Sequence, residues 1–318
     1  MQASITTFCL AAVTTCAPAS VAQSYPTKPV RLLASGIGGG GDFTARMIAS
    51  GVSSRLGQQV IVDNRPGGVT PGEILSKAQP DGHTLMLVGF VIWLAPFMRD
   101  NVPFDPVRDF APITLAVSSP NVLVVHPSVP VKSVRDLIAL AKQKPGALNV
   151  ASSGLGNSNY IAAELFKVMA GVNIVSIPYK GAALALNDVL SGRVEMIFAT
   201  ANASGPHVSA GRLTALGVTS ARPSSLVPGL PTVAASGLPG YESAATLGIL
   251  TRTATPAAIV NRLNSEIVQF LKTPEISERL FKAGIEVVAG SPEQFAAVIK
   301  HDIASKGKLI KSAGIRME

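Results

Sequence analysis

The 318 residues allow one large domain or two medium ones, with ample material for a core. Hydrophobic residues make up 47% of the chain and charged ones 14%, which excludes a disordered polypeptide. The net charge of +8 comes from Lys and Arg scattered without a dense run, and only 5% of residues are aromatic, so neither a nucleic-acid groove nor a base-stacking platform is expected.

Residues 1–22 carry no charged side chain and include the apolar run 8–13. They end in Ser20-Val21-Ala22, a small-x-small pattern, and read as a signal peptide of an exported protein. Thr15 before Cys16 makes a poor lipid-attachment box, so a soluble exported chain is favoured. Cys9 and Cys16 both fall in this leader; the mature chain is then expected to have no disulfide, thiolate metal site or cysteine nucleophile. The most apolar stretch, residues 85–98, is too short to span a membrane and reads as a buried strand followed by a loop.

In chain order, residues 25–29 form an extended lead-in, and 30–34 a buried strand. A glycine turn follows at 36–41, and Asp42 opens an amphipathic helix that Gly57 ends as a C-terminal cap. Strand 60–62, loop 63–68, helix 73–78, turn 80–82 and strand 84–88 continue the alternation, which predicts a parallel sheet with helices on its faces. Strands are expected at 113–117 and 121–125, then a helix capped by Ser133 and running to Lys142. A second α/β series has strands 148–151, 174–177, 194–198 and 213–218, with helices 157–169, 182–190 and 204–210. The Pro/Gly/Ser-rich stretch 223–240 reads as a connection. Strand 246–250, helix 256–271, helix 274–283, strand 285–288 and helix 292–313 close the chain. Two α/β units suggest two lobes, with the last segment returning to the first. Lobe 1 is assigned to 24–123 and 245–318, lobe 2 to 124–244, and the cleft between them is the natural ligand site.

The glycine turn leaves three readings open. Gly36-x-Gly38-x-x-Gly41 matches a dinucleotide fingerprint between strand and helix, and Asp63 stands where a ribose-binding acid belongs. The turn also suits a purely structural role, or a carboxylate held on the N–H groups of the helix start. A second small-residue turn, 152–158, likewise joins a strand to a helix. The two helix starts facing one cleft suit an elongated acid or a dianion. His83, His126, His207 and His301 lack metal-ligand spacing, and Ser35 and Ser153 are not in a nucleophile elbow, so no metal and no catalytic residue is expected. Asp42 reads as the helix cap, with direct ligand contact as the alternative.

With Asp63-Asn64-Arg65-Pro66-Gly67-Gly68, Pro80-Asp81-Gly82, Asp105-Pro106-Val107-Arg108-Asp109-Phe110, Pro178-Tyr179-Lys180-Gly181, Leu230-Pro231-Thr232-Val233 and Gly237-Leu238-Pro239-Gly240-Tyr241 in order, the chain resembles the tripartite tricarboxylate transporter receptors, the Bug family of periplasmic solute-binding proteins. The resemblance implies an α/β, two-lobed periplasmic-binding-protein-like fold of type II, each lobe a mixed sheet flanked by helices, closing over a small carboxylate. It implies no enzyme activity and no cofactor. The implied partners are a small organic acid and the integral membrane permease subunits of a tripartite transporter, or a sensor protein. A monomer without nucleic acid is implied, located in the periplasm.

The first turn departs from the family's proline-rich pattern, the third strand runs into Gly89-Phe90-Val91-Ile92-Trp93, and Ala199 replaces a common Asp. The expected ligand-binding residues are Ser35, Gly38, Gly39, Gly40, Gly41, Asp42, Gly89, Phe90, Ser153, Gly154, Gly156, Asn157, Ser158, Tyr179 and Ala199. Phe90 or Trp93 is expected either to pack on an aromatic or apolar-bodied acid or to fill the core. The alternatives are a nucleotide-dependent oxidoreductase built on the 36–41 turn and a co-sensor without transport.

Overall fold

The computed structural model describes residues 25–34, 36–37, 40–65, 68–152 and 158–316. The apolar run Val30–Ala34 is strand β1, four of its five residues buried. Helix α1 (Gly40–Leu56) leads to β2 (Val60–Asn64), and α2 (Thr70–Ser76) leads to β3 (Thr84–Gly89). Both neighbours of β1 run parallel to it, in register from Val30↔Val60 to Ala34↔Asn64 on one side and from Arg31↔Thr84 to Leu33↔Met86 on the other. This is the parallel arrangement that strand–helix alternation predicts.

After β3 the expected loop is instead helix α3 (Phe90–Met98). The run is apolar on every side. Such a run forms a helix only where it is buried all round, and periodicity does not distinguish it from a strand and its exit. Its partner is the C-terminal helix, α10 (Pro292–Ser312), which begins with a Ser291/Gln294 capping box. Trp93 meets Phe295 edge-on at 5.6 Å, and its indole N–H donates to Asp302 at 2.8 Å. Gly307 allows the approach, since a Cβ there would stand 2.7 Å from the Phe97 ring.

The strands expected at 113–117 and 121–125 are one strand, β4 (Phe110–Val125). Residues 110–120 pair antiparallel with β9 (Ala244–Arg252), with register shifts between Pro112 and Thr114 and between Leu115 and Val117. Residues 121–125 pair instead with β7 (Met196–Thr200) and β8 (Thr214–Val218). The exchange falls at Pro120, which has no N–H to donate to a ladder. One sheet therefore runs β2-β1-β3-β9-β4, with β10 (Glu286–Val287) also on β4. The other holds β4, β7, β8, β5 (Asn149–Ser152) and β6 (Val175–Pro178).

The chain recrosses beside the first crossing. The Asn121 N–H donates to Thr219 Oγ1 (2.8 Å), and the Ser243 N–H donates to the Thr219 carbonyl (2.8 Å). Two strands passing at one place, with a sheet on either side, give the two-lobed α/β arrangement that the resemblance implies. Helices α4 (Val134–Gln143), α5 (Ser158–Ala170), α6 (Ala182–Leu190), α7 (Ala201–Ser209), α8 (Ala257–Leu271) and α9 (Pro274–Lys282) cover the faces. Among the described residues no helix is long and apolar enough to cross a membrane.

The edge of the first sheet carries acid-sensitive pairs. Burial raises the Asp63 carboxyl, but the hydrogen bonds and charges of Arg31 and Arg65 outweigh it and hold its pKa below the usual value. At Asp81 burial is likewise outweighed, by the backbone N–H of His83 and by Lys28. A carboxyl with a depressed folded-state pKa stabilises above its unfolded value of ~4 and loses that contribution as pH falls. The melting temperature is expected to hold from neutral pH down to ~5 and to fall steeply below ~4; a flat profile through pH 3 would contradict this.

Candidate functional site

Helices begin with N–H groups that have no partner inside the helix. Three such starts converge where the two sheets meet. Gly40 and Gly41 open α1, Ser158 opens α5, and Thr200 and Asn202 flank the start of α7. They line a cavity of about 340 Å³ with Val117 and Ser119 of β4, Ala245 and Leu247 of β9, and Ala283 and Ile285 beyond α9. That volume is at the lower end of the roughly 300–1,000 Å³ of small-molecule sites. No charged side chain is among the described lining residues. A second cavity of about 290 Å³ shares Ser158 and Thr200 with the first. Its lining also includes Asn121, Asn159, Ile197, Phe198 and Ala199, and Ala182, Ala183, Leu186 and Ala203 from α6 and α7.

Chemically, this arrangement offers donors and apolar walls. Backbone N–H groups at helix starts and the Ser and Thr hydroxyls suit an anion of a few atoms. No titratable side chain is among the described residues that line either cavity. Among the described residues no cluster of His, Cys, Asp and Glu has the makings of a metal site.

Of the expected site residues, Gly40, Gly41 and Ser158 come together on the first cavity, and Ala199 and Ser158 on the second. Ser35, Gly38, Gly39, Ser153, Gly154, Gly156 and Asn157 lie outside the described residues. Asp42 does not open its helix. The helix starts two residues earlier, and Asp42 is buried in the first turn, where it accepts from Asn64 Nδ2 (2.9 Å) and pairs with Arg46 (2.9 Å). Phe90 and Trp93 pack in the hydrophobic core as part of α3, and neither is among the described residues that line the two cavities. Trp93 has no exposed surface, so no ligand stacks on it. Gly89 pairs with Leu247 across the β3–β9 ladder and is not among the described residues lining the two cavities; a Cβ there would come 3.0 Å from the Thr246 carbonyl. The Tyr179 hydroxyl donates to Asp188 (2.8 Å), which ties the end of β6 to α6.

The start of α7 is absent from the sequence reading, which begins that helix at 204. Pro206 suggests a helix start near itself, but it sits inside the helix. Thr200 was the available signal, because Thr before a run of small residues is a common N-cap. Asn202 carries a further role. Its Nδ2 donates to the Ala283 carbonyl (3.1 Å), which joins α7 to the turn after α9.

A second bridge lies on the same rim. Glu286 Oε1, on β10, accepts from Ser224 Oγ (2.8 Å), Ser225 N (2.9 Å) and Ser225 Oγ (2.8 Å) on the long connection after β8. Hydrogen bonds to a charged group contribute roughly 1.5–3 kcal/mol. Glu286→Ala is therefore expected to open the unliganded protein, read as a larger radius of gyration in solution scattering. An unchanged radius would show that the bridge does not hold the lobes.

Both Asp63 carboxylate oxygens are engaged by Arg31 and Arg65, so the acid that the dinucleotide reading gives to a ribose is already paired within the protein.

Comparison with known proteins gives one consistent result. Residues 44–315 match the tripartite tricarboxylate transporter family receptor. A protein from the tcbD-tcbE intergenic region of Pseudomonas sp. (strain P51) is 35% identical over 95% of this chain and 91% of its own length. BugT of Bordetella pertussis is 30% identical over 95% of this chain and 94% of its own length. Among solved structures, R. palustris Rpa4515 with adipate is 35% identical with a TM-score of 0.75, covering 92% of this chain and 99% of that one.

Proposed function

This chain belongs to the tripartite tricarboxylate transporter receptor family, and on that premise we propose that it captures a small, apolar-bodied organic carboxylate between its lobes and delivers it to the membrane permease of such a transporter. The observation that carries this reading is the meeting of three helix starts on one cavity with no charged side chain among its described lining residues. Such a site holds a carboxylate through N–H donors without a buried cation, and without groups to transform it. The solved relative that carries adipate supports the ligand class.

Lobe 1 as residues 24–123 and 245–318, and lobe 2 as 124–244, form part of the proposal. The partner exchange along β4 and the Ser243–Thr219 contact support boundaries close to these. So do export to the periplasm by residues 1–22 and action as a monomer. Closure follows from the ligand bridging the α1 start of one lobe and the α5 and α7 starts of the other, so that it favours the closed state by differential contact. Delivery to a sensor instead of a permease uses the same closed form, and capture of tagged protein with its membrane partners separates the two.

The test is thermal unfolding of the purified mature chain with a panel of carboxylates, adipate included. A ligand at a hundred times its dissociation constant is expected to add about 2.7 kcal/mol of stability. A panel in which no acid shifts the transition would overturn the proposal.

A further inference from the structure

The second cavity holds a feature that the capture of a carboxylate leaves unused. Asn121 is 1% exposed, and among the described residues its side-chain Nδ2 has no hydrogen-bond partner. It lies on the floor of that cavity, on the strand that crosses between the lobes. Buried polar groups are nearly always paired, because an unpaired one loses its water without replacement. An unpaired amide nitrogen on a residue that lines a cavity marks a group that a ligand atom can complete. The walls around it are Leu186, Phe198, Ala199 and Ala203, all apolar and two of them small. No cation is among the described lining residues, and the link 153–157 before α5 carries no charge in its sequence.

We propose that this annex is the tail subsite of the cleft. It takes an apolar chain or ring whose far end bears one uncharged hydrogen-bonding group, such as a hydroxyl or carbonyl, which pairs with the Asn121 amide. The proposal rests on carboxylate capture at the helix starts and names the class of acid that the site selects. A half-turn of the amide exchanges its donor and acceptor at the same atomic positions, so it serves either kind of group. A second carboxylate in this position would be buried against a neutral amide with no compensating cation, which is unfavourable. The ligand is then an ω-substituted monoacid of medium length. Shared lining at Ser158 and Thr200 joins the head site to the annex.

The test is calorimetric titration of the full mature chain with acetate, hexanoate, 6-hydroxyhexanoate and adipate. The expected order places 6-hydroxyhexanoate about tenfold tighter than hexanoate, and tighter than adipate by a similar factor. Asn121→Leu is expected to bring the hydroxyhexanoate-to-hexanoate ratio to about one. Its unliganded melting temperature is expected to be no lower than that of the wild type, since an unpaired buried amide is removed. Ala203→Leu, on a half-buried helix face, fills the annex by a second route and is expected to weaken both six-carbon monoacids relative to acetate. Equal affinity of the wild type for hexanoate and 6-hydroxyhexanoate, a preference that survives Asn121→Leu, or adipate as the tightest ligand would each overturn the tail subsite. Failure of every acid to bind would overturn carboxylate capture itself, and the annex with it.

Discussion

Gly40→Phe is expected to abolish acid binding while leaving the fold intact. Gly40 is the first residue of α1 and lines the cavity where the helix starts meet. A Cβ built there meets no atom within 4 Å, so the new side chain projects into open space. Removing a glycine from a helix also removes its entropic penalty, so local stability should not fall. In the cleft, a benzyl group occupies volume that the ligand needs and holds the lobes apart. Loss of affinity by at least ~100-fold, about 2.7 kcal/mol, is expected in titration. The unliganded melting temperature should stay within a degree or two of wild type. Binding that survives the substitution would remove the α1 start from the site.

Asp302→Ala is expected to be the most damaging substitution to the fold. Asp302 is 5% exposed between α10 and α3. One carboxylate oxygen accepts from the Trp93 indole at 2.8 Å, and the other meets Lys306 Nζ at 2.5 Å. Truncation leaves an indole N–H without an acceptor and a largely buried ammonium without its counter-charge. Breaking a buried pair from one side costs about 3–5 kcal/mol, whereas replacing both partners with apolar groups is often nearly neutral. Asp302→Leu combined with Lys306→Met should therefore recover most of the loss, with the indole N–H as the remainder. Chemical denaturation of the three proteins tests the comparison. A double variant no more stable than Asp302→Ala would show that the damage comes from packing.

The contrast between these two sites shows which parts of the molecule were legible in the chain. The 30–56 segment was legible because each signal is local: a buried apolar run, then glycines, then an amphipathic helix. The same holds for the parallel pairing of β1, β2 and β3, which follows from strand–helix alternation. Helix α3 was not legible as a helix, because an apolar run shows its period only when one face is polar. Its apolar surround comes from α10, some 200 residues later, as the Trp93–Asp302 separation of 209 residues records. The continuity of β4 was hidden by Pro120, which reads as a break between strands but marks where the strand changes partners.

The cleft was legible in outline and less so in detail. Two small-residue turns located two of its helix starts, at Gly40 and Ser158. The third, at α7, was obscured by Pro206. Phe90 and Trp93 were read as either packing on the ligand or filling the core, and the α3–α10 contact draws them into the core. The apolar lining of the second cavity comes from β7, α6 and α7, around Asn121. Residues such as Ala283 and Ile285 reach the cleft only through the return of the C-terminal segment, a tertiary fact that no local pattern encodes.

The central claim is that the cleft recognises a carboxylate through helix-start N–H groups. Titrating the mature chain with a binding acid and with its primary amide, identical in all but the charged group, tests it most directly. The account predicts one acid bound per chain and at least ~100-fold weaker binding of the amide. Equal binding of acid and amide would contradict it.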